Sequence, residues 1–176
     1  MAVVEVDQSF ILLSPRHNNV SDLVILLANR VIATDNARVV YALLIINKAG
    51  GLVYNRTFNP SLTQLSGNDY LVLAGTFHGI HAISKQLSPV TLPRNSTGIE
   101  SLQASRFLMS CFQTPTGIKF LLFTEPSMDP AKVEEKMRKL YELYAEFVMR
   151  NPFYSLEMPI RSDKFERAVA QGVAVR

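Results

Sequence analysis

The chain has 176 residues, 48% of them hydrophobic and 19% charged, which is enough apolar material for a buried core and excludes wholesale disorder. One cysteine and no tryptophan exclude a disulfide scaffold and a cysteine-based zinc cluster, and a lone thiol suits a reducing compartment. A net charge of +3, from 18 Lys and Arg against 15 Asp and Glu, is too weak to imply nucleic-acid binding.

Residues 1–38 read as an N-terminal extension. Phe10–Leu13 fits a short strand stopped by Ser14-Pro15, and Asp22–Ile32 a short helix capped by Ser21, with apolar positions on no clean face. The start, Met1–Asp7, carries acids where a signal peptide carries Lys or Arg. The apolar runs Leu23–Ala28 and Leu43–Ile46 fall far short of the roughly 20 residues that cross a membrane. A soluble, intracellular protein is expected.

From Val39 the pattern sharpens. Val39–Ile46 is an apolar run without alternation, which predicts a strand covered on both faces. Asn47-Lys48-Ala49-Gly50-Gly51 supplies a turn, and Leu52–Phe58 returns as the second strand, ended by Asn59-Pro60-Ser61. Asn68-Asp69 caps a helix predicted over Tyr70–Leu87 and closed by Ser88-Pro89. Leu71, Val72, Leu73, Ala74, Phe77, Ile80, Ala82, Ile83 and Leu87 occupy nearly its whole circumference, and Gly75, Gly79 and Ala82 form a stripe of small residues. A sheet covers one side of such a helix, so a second partner is expected on the other.

Gly98–Ala104 and Arg106–Thr114 read as strands, Pro115-Thr116-Gly117 as a tight turn and Ile118–Thr124 as a fifth strand. Asp129-Pro130 opens the longest predicted helix, with Val133, Met137, Leu140, Tyr141, Tyr144 and Val148 on one face. Its other face offers i,i+4 pairs between Glu134 and Arg138, Glu135 and Lys139, and Glu146 and Arg150. Asn151-Pro152 stops it, and a last helix is predicted from Ser162 to Ala170. The order predicts an α+β domain: five antiparallel strands with helices on both faces.

Motifs that carry chemistry are sparse. His78 and His81 sit three apart on the first helix, but no third ligand stands at metal-site spacing, so a structural or partner-facing role is expected. Cys111 lies mid-strand as a small buried hydrophobe with no nearby base. The Asn47–Gly51 loop lacks phosphate-loop spacing and leads into a strand. No nucleophile elbow, zinc-protease or dinucleotide motif occurs.

The most individual stretch is Asn151-Pro152-Phe153-Tyr154-Ser155-Leu156-Glu157-Met158-Pro159-Ile160-Arg161. Two prolines bar it from helix interior and central strand, yet it carries Phe, Tyr, Leu, Met and Ile. Two readings stand together: a clasp across its own domain, and a surface for a partner. Phe153, Tyr154 and Leu156 are expected mainly to anchor it, leaving Glu157, Met158 and Arg161 available.

At these residues the sequence resembles the synbindin family of small TRAPP tethering-complex subunits. The likeness rests on Ile45–Tyr54, on Gln113–Phe120 and above all on Asn151–Arg161, with weaker agreement at Phe77–Ile80 and Ile83–Pro89. It covers about residues 39–172; Pro115 departs from the aliphatic residue usual there, and 1–38 have no counterpart. The resemblance implies a longin-like, sedlin-type domain over 39–176, with one helix on one face of the sheet and two on the other. It further implies a core subunit of a complex that exchanges guanine nucleotide on a Rab-type GTPase in transport from the endoplasmic reticulum to the Golgi.

Partners implied are a second longin-like small subunit, other TRAPP subunits and the GTPase, with no nucleic acid and with membrane contact only through the complex. No catalytic, cofactor or metal residue is implied. The expected partner-binding residues are Leu73, Phe77, Gly79 and Ile80 on the helix, and Phe153, Tyr154, Glu157, Met158 and Arg161 on the segment. Two other classes stay open at this point: an independent longin-type module acting on membrane-fusion or cargo-adaptor proteins, and an enzyme whose site assembles only in space.

Overall fold

The seven residues Val40–Ile46 form strand β1, and every one of them is buried. Leu43 and Ile45 enter one hydrophobic cluster while Ala42, Leu44 and Ile46 enter another, so the unbroken apolar run is a strand with both faces covered. The computed structural model describes residues 39–59, 65–87, 98–155 and 157–174. The readings for residues 1–38, Pro60-Ser61, Ser88-Pro89 and Leu156 lie outside them.

Strand β2 is Leu52–Thr57, helix α1 Gly67–Leu87, β3 Ser101–Gln103, β4 Leu108–Gln113 and β5 Lys119–Thr124. Helix α2 spans Pro130–Tyr144 and runs on through one π-helical stretch, Ala145–Met149; α3 is Asp163–Ala174. The sheet order is β2-β1-β5-β4-β3, antiparallel throughout. Leu73, Ala74 and Phe77 of α1 pack on one face with Leu44, Leu121 and Phe123. Val133, Met137, Leu140 and Tyr144 of α2, with Phe165 and Val169 of α3, pack on the other with Leu43, Phe120 and Leu122. This is the expected α+β arrangement of one helix against two.

Several boundaries differ, each for a local reason. Helix α1 starts at Gly67, three residues before Tyr70, because Ser66 caps it. The Asp69 carboxylate accepts from the Ser66 amide at 3.0 Å and from its hydroxyl at 2.8 Å, while the Asp69 amide donates back to Ser66 Oγ at 3.3 Å. Among the described residues α1, with 21 residues, and not α2, with 15, is the longest α-helix. Asp129 caps α2 as expected, accepting from the Ala131 amide at 3.0 Å. The three i,i+4 ion pairs are not made; the ion pair found on α2 is Lys139 with Glu142 at 3.3 Å, both exposed. Water competes for such charges, so the helix loses little by leaving them apart. Tyr141 lies at the margin of the apolar face, and Leu143 is buried instead. Strand β3 is shorter than predicted, and α3 continues to Ala174 because Val173 joins the core.

Candidate partner-binding surface

The stretches singled out in the sequence meet at one end of the sheet. In the β1–β2 turn, Asn47 exchanges main-chain bonds with Gly51 and Gly50, and its side-chain Oδ1 accepts from the Gly51 amide at 2.7 Å. Gly50 has φ +93°, a backbone conformation that a side chain would strain. Next to it the β4–β5 turn is tied by the Thr114 amide to the Ile118 carbonyl at 2.8 Å, with Thr114 Oγ1 accepting from the Ile118 amide at 3.1 Å. The two turns touch: a Cβ on Gly117 would lie 3.1 Å from Lys48 Cγ.

The C-terminal half of α1 closes over the same end. His81 is 1% exposed, and its Nε2 lies 2.9 Å from Gln113 Oε1, which also accepts from Lys85 Nζ at 2.6 Å. Lys119, 4% exposed, donates from Nζ to His78 Nδ1 at 3.2 Å and reaches the Gly117 carbonyl at 3.4 Å. Burial, with the neighbouring lysines, pushes both imidazoles below the ordinary histidine value, and burial pushes the Lys119 ammonium down as well. Cys111 is pushed up to about 12 by burial, so it is a neutral thiol, as expected of it. Sequence reasoning placed the histidines correctly and missed Lys119, which the adjacent turn alone could have flagged as a cation at the mouth of an apolar strand.

Asn151–Arg161 leaves α2 at this end and turns twice. The Tyr154 amide donates to the Asn151 carbonyl at 3.1 Å and the Phe153 amide to Asn151 Oδ1 at 3.1 Å. The Met158 amide then donates to the Ser155 carbonyl at 3.0 Å, and the Tyr154 hydroxyl to the Met158 carbonyl at 3.1 Å. Ile160 is buried in the α2–α3 core. Tyr154 therefore anchors, as expected. Phe153 does not: it is 95% exposed, held by the turn rather than by packing, and Met158 is 60% exposed beside exposed Glu157 and Arg161.

On α1 the expected partner contacts divide. Leu73 and Phe77 are committed to the chain's own core, because their register faces the sheet. Gly79 and Ile80 face outward, joined by Leu71, Val72 and Ile83, and among the described residues nothing beyond the helix's own neighbouring backbone lies within 4 Å of a Cβ built on Gly75 or Gly79. From Tyr70 to Ser84 the helix carries no Asp, Glu, Lys or Arg. The outcome is a long, uncharged, largely apolar outer face with two glycines on it.

A family model described as the Sybindin-like family matches residues 40–175. Among curated proteins, trafficking protein particle complex subunit 4 of Dictyostelium discoideum is 42% identical over 135 residues, covering 77% of this chain and 96% of the relative. The Bos taurus protein of the same name is 46% identical over 104 residues, 59% of this chain, but the match spans 45% of the relative's own length. A Dictyostelium discoideum trafficking protein particle complex subunit 1 is 24% identical over 128 residues, covering 72% of this chain and 88% of the relative.

Proposed function

We propose, from the premise that the chain belongs to the Sybindin-like family, that it is a non-catalytic core subunit of a TRAPP complex. In this reading it supports guanine-nucleotide exchange on a Rab-type GTPase and vesicle tethering between the endoplasmic reticulum and the Golgi. The observation that carries the reading is the outer face of α1, where Leu71, Val72, Ile80 and Ile83 stand in water without a charge among them. Exposed apolar residues clustered on one uncharged face support a surface that another protein covers. A second longin-like small subunit is the proposed occupant, approaching closely over Gly75 and Gly79.

The Asn151–Arg161 segment is the proposed contact for the GTPase. Its turns hold Phe153 and Met158 outward before any partner arrives, so little entropy remains to be lost on docking. Exchange by this route requires no acid, base or metal from the chain. The complex binds the nucleotide-free GTPase more tightly than the loaded one, and that difference shifts the population toward the open pocket.

No described helix is long and apolar enough to cross a membrane, and the proposed location is cytoplasmic and peripheral at Golgi and endoplasmic reticulum membranes, through the complex. Residues 39–176 are the proposed working domain. Deleting residues 1–38 is then expected to leave melting and co-purification unchanged.

Affinity purification of the tagged full chain tests the assignment. Stoichiometric recovery of other TRAPP subunits is expected. A stable monomer that recovers none of them overturns it and favours an independent longin-type module.

A further inference from the structure

We propose that His78, His81, Lys85 and Lys119 form a proton-sensitive latch, which holds the C-terminal half of α1 against the ends of β4 and β5 and loosens it below neutral pH. The inference concerns the chain's own fold and does not depend on the proposed partners. Its basis is how each imidazole is bonded. Lys119 Nζ has only protons to offer, so at 3.2 Å His78 Nδ1 must accept and cannot itself carry a proton. Gln113 Oε1 accepts from Lys85 Nζ, so at 2.9 Å His81 Nε2 must donate to the same oxygen. Both tautomers follow from the network, and both rings are neutral in it.

A second proton has nowhere good to go on either ring. On His78 it would occupy Nδ1, expel the lysine hydrogen bond and leave two cations face to face. On His81 it would occupy Nδ1, a buried atom without a hydrogen-bond partner. The Ile99 backbone lies near enough to favour that proton but outside bonding geometry. Gly98 presses on the ring: a Cβ there would stand 2.8 Å from His81 Cε1 and 3.0 Å from Nδ1. Protonated His81 would therefore be a buried cation whose new N–H has only the Ile99 backbone near it.

Among the described residues, the elements packed around the cluster bring no carboxylate onto either imidazole. Helix α1 contributes His78, His81 and Lys85; β5 contributes Lys119; β4 contributes Gln113 and the neutral Cys111 thiol. The β1–β2 turn brings Lys48, whose stem lies under Gly117. Glu100, ahead of β3, acts on Cys111 and has an interaction of its own. Both histidines hold fewer protons folded than unfolded, since their folded values are lowered. The stability they contribute is present above about pH 6.5, the ordinary unfolded value, and is lost as pH falls through the lowered folded values.

Two measurements on the full chain test the latch. Imidazole titration by NMR, assigned with His78→Gln and His81→Gln, should show both rings half-protonated below pH 6.5. Thermal melting should fall by several degrees from pH 7.5 to 5.5, a range above most carboxylate titration. Lys119→Met keeps the apolar stem and removes the opposing cation, so it should raise the His78 value and reduce the acid loss. Either wild-type imidazole titrating at or above its ordinary value overturns the latch, whatever the stability of the variant. An equal acid loss in wild type and a folded Lys119→Met overturns it as well.

Discussion

The Ile160 amide donates to the Val53 carbonyl at 2.8 Å, so the return segment after α2 ties itself to the outer edge of β2. An unpaired sheet edge invites pairing with other chains, and here the chain's own backbone takes the bond. The same contact fixes the segment in place: Ile160 is buried at one end, α2 is packed at the other, and Phe153 projects between them.

Ile160→Ala is expected to cost about 2–4 kcal/mol of stability, the usual range for emptying a buried aliphatic site. Urea unfolding reads it directly. A cost near zero would mean that the segment rests on the domain without contributing to its core.

Gly79→Leu places a large side chain where, among the described residues, nothing beyond the helix's own neighbouring backbone lies within 4 Å of the built Cβ. The isolated chain should melt at the wild-type temperature or slightly above, because glycine inside a helix costs about 0.5–1 kcal/mol relative to alanine. Partner subunits should be lost in co-purification, since close helix approach is blocked. Normal stoichiometry would remove α1's outer face from the assembly.

Two glycine replacements should move in opposite directions. Gly75→Ala enters open space on α1 and is expected to stabilise by about 0.5–1 kcal/mol. Gly98→Ala meets His81 at 2.8 Å with φ at +79°, and is expected to destabilise by at least about 1 kcal/mol. Melting of the two variants side by side checks the close packing over His81.

The sequence declares most of this fold through apolar pattern and turn chemistry. Val39–Ile46 shows a two-faced strand because no polar residue interrupts it, and Asn47–Gly51 and Pro115–Gly117 mark the hairpins. Exposure was harder to read. Phe153 looks like an anchor by composition, yet its place depends on the Asn151 turn, which points the ring outward. Leu73 and Phe77 could not be told from Ile80 and Ile83 on an apolar helix, because which side meets the sheet is settled by tertiary packing. The Lys119–His78 contact joins residues 41 apart, and local pattern carries no trace of such a pair.

The most direct test of the account is fluorescent-nucleotide release from the proposed partner, a Rab-type GTPase, in the presence of the reconstituted complex carrying Phe153→Ser. The side chain is almost wholly in water, so folding and assembly should stay at wild-type level. Aromatic anchors at interfaces are commonly worth about 2 kcal/mol or more, so catalysed release should slow by about 10-fold or more. Release at the wild-type rate from a fully assembled complex would contradict the claim that this segment contacts the GTPase.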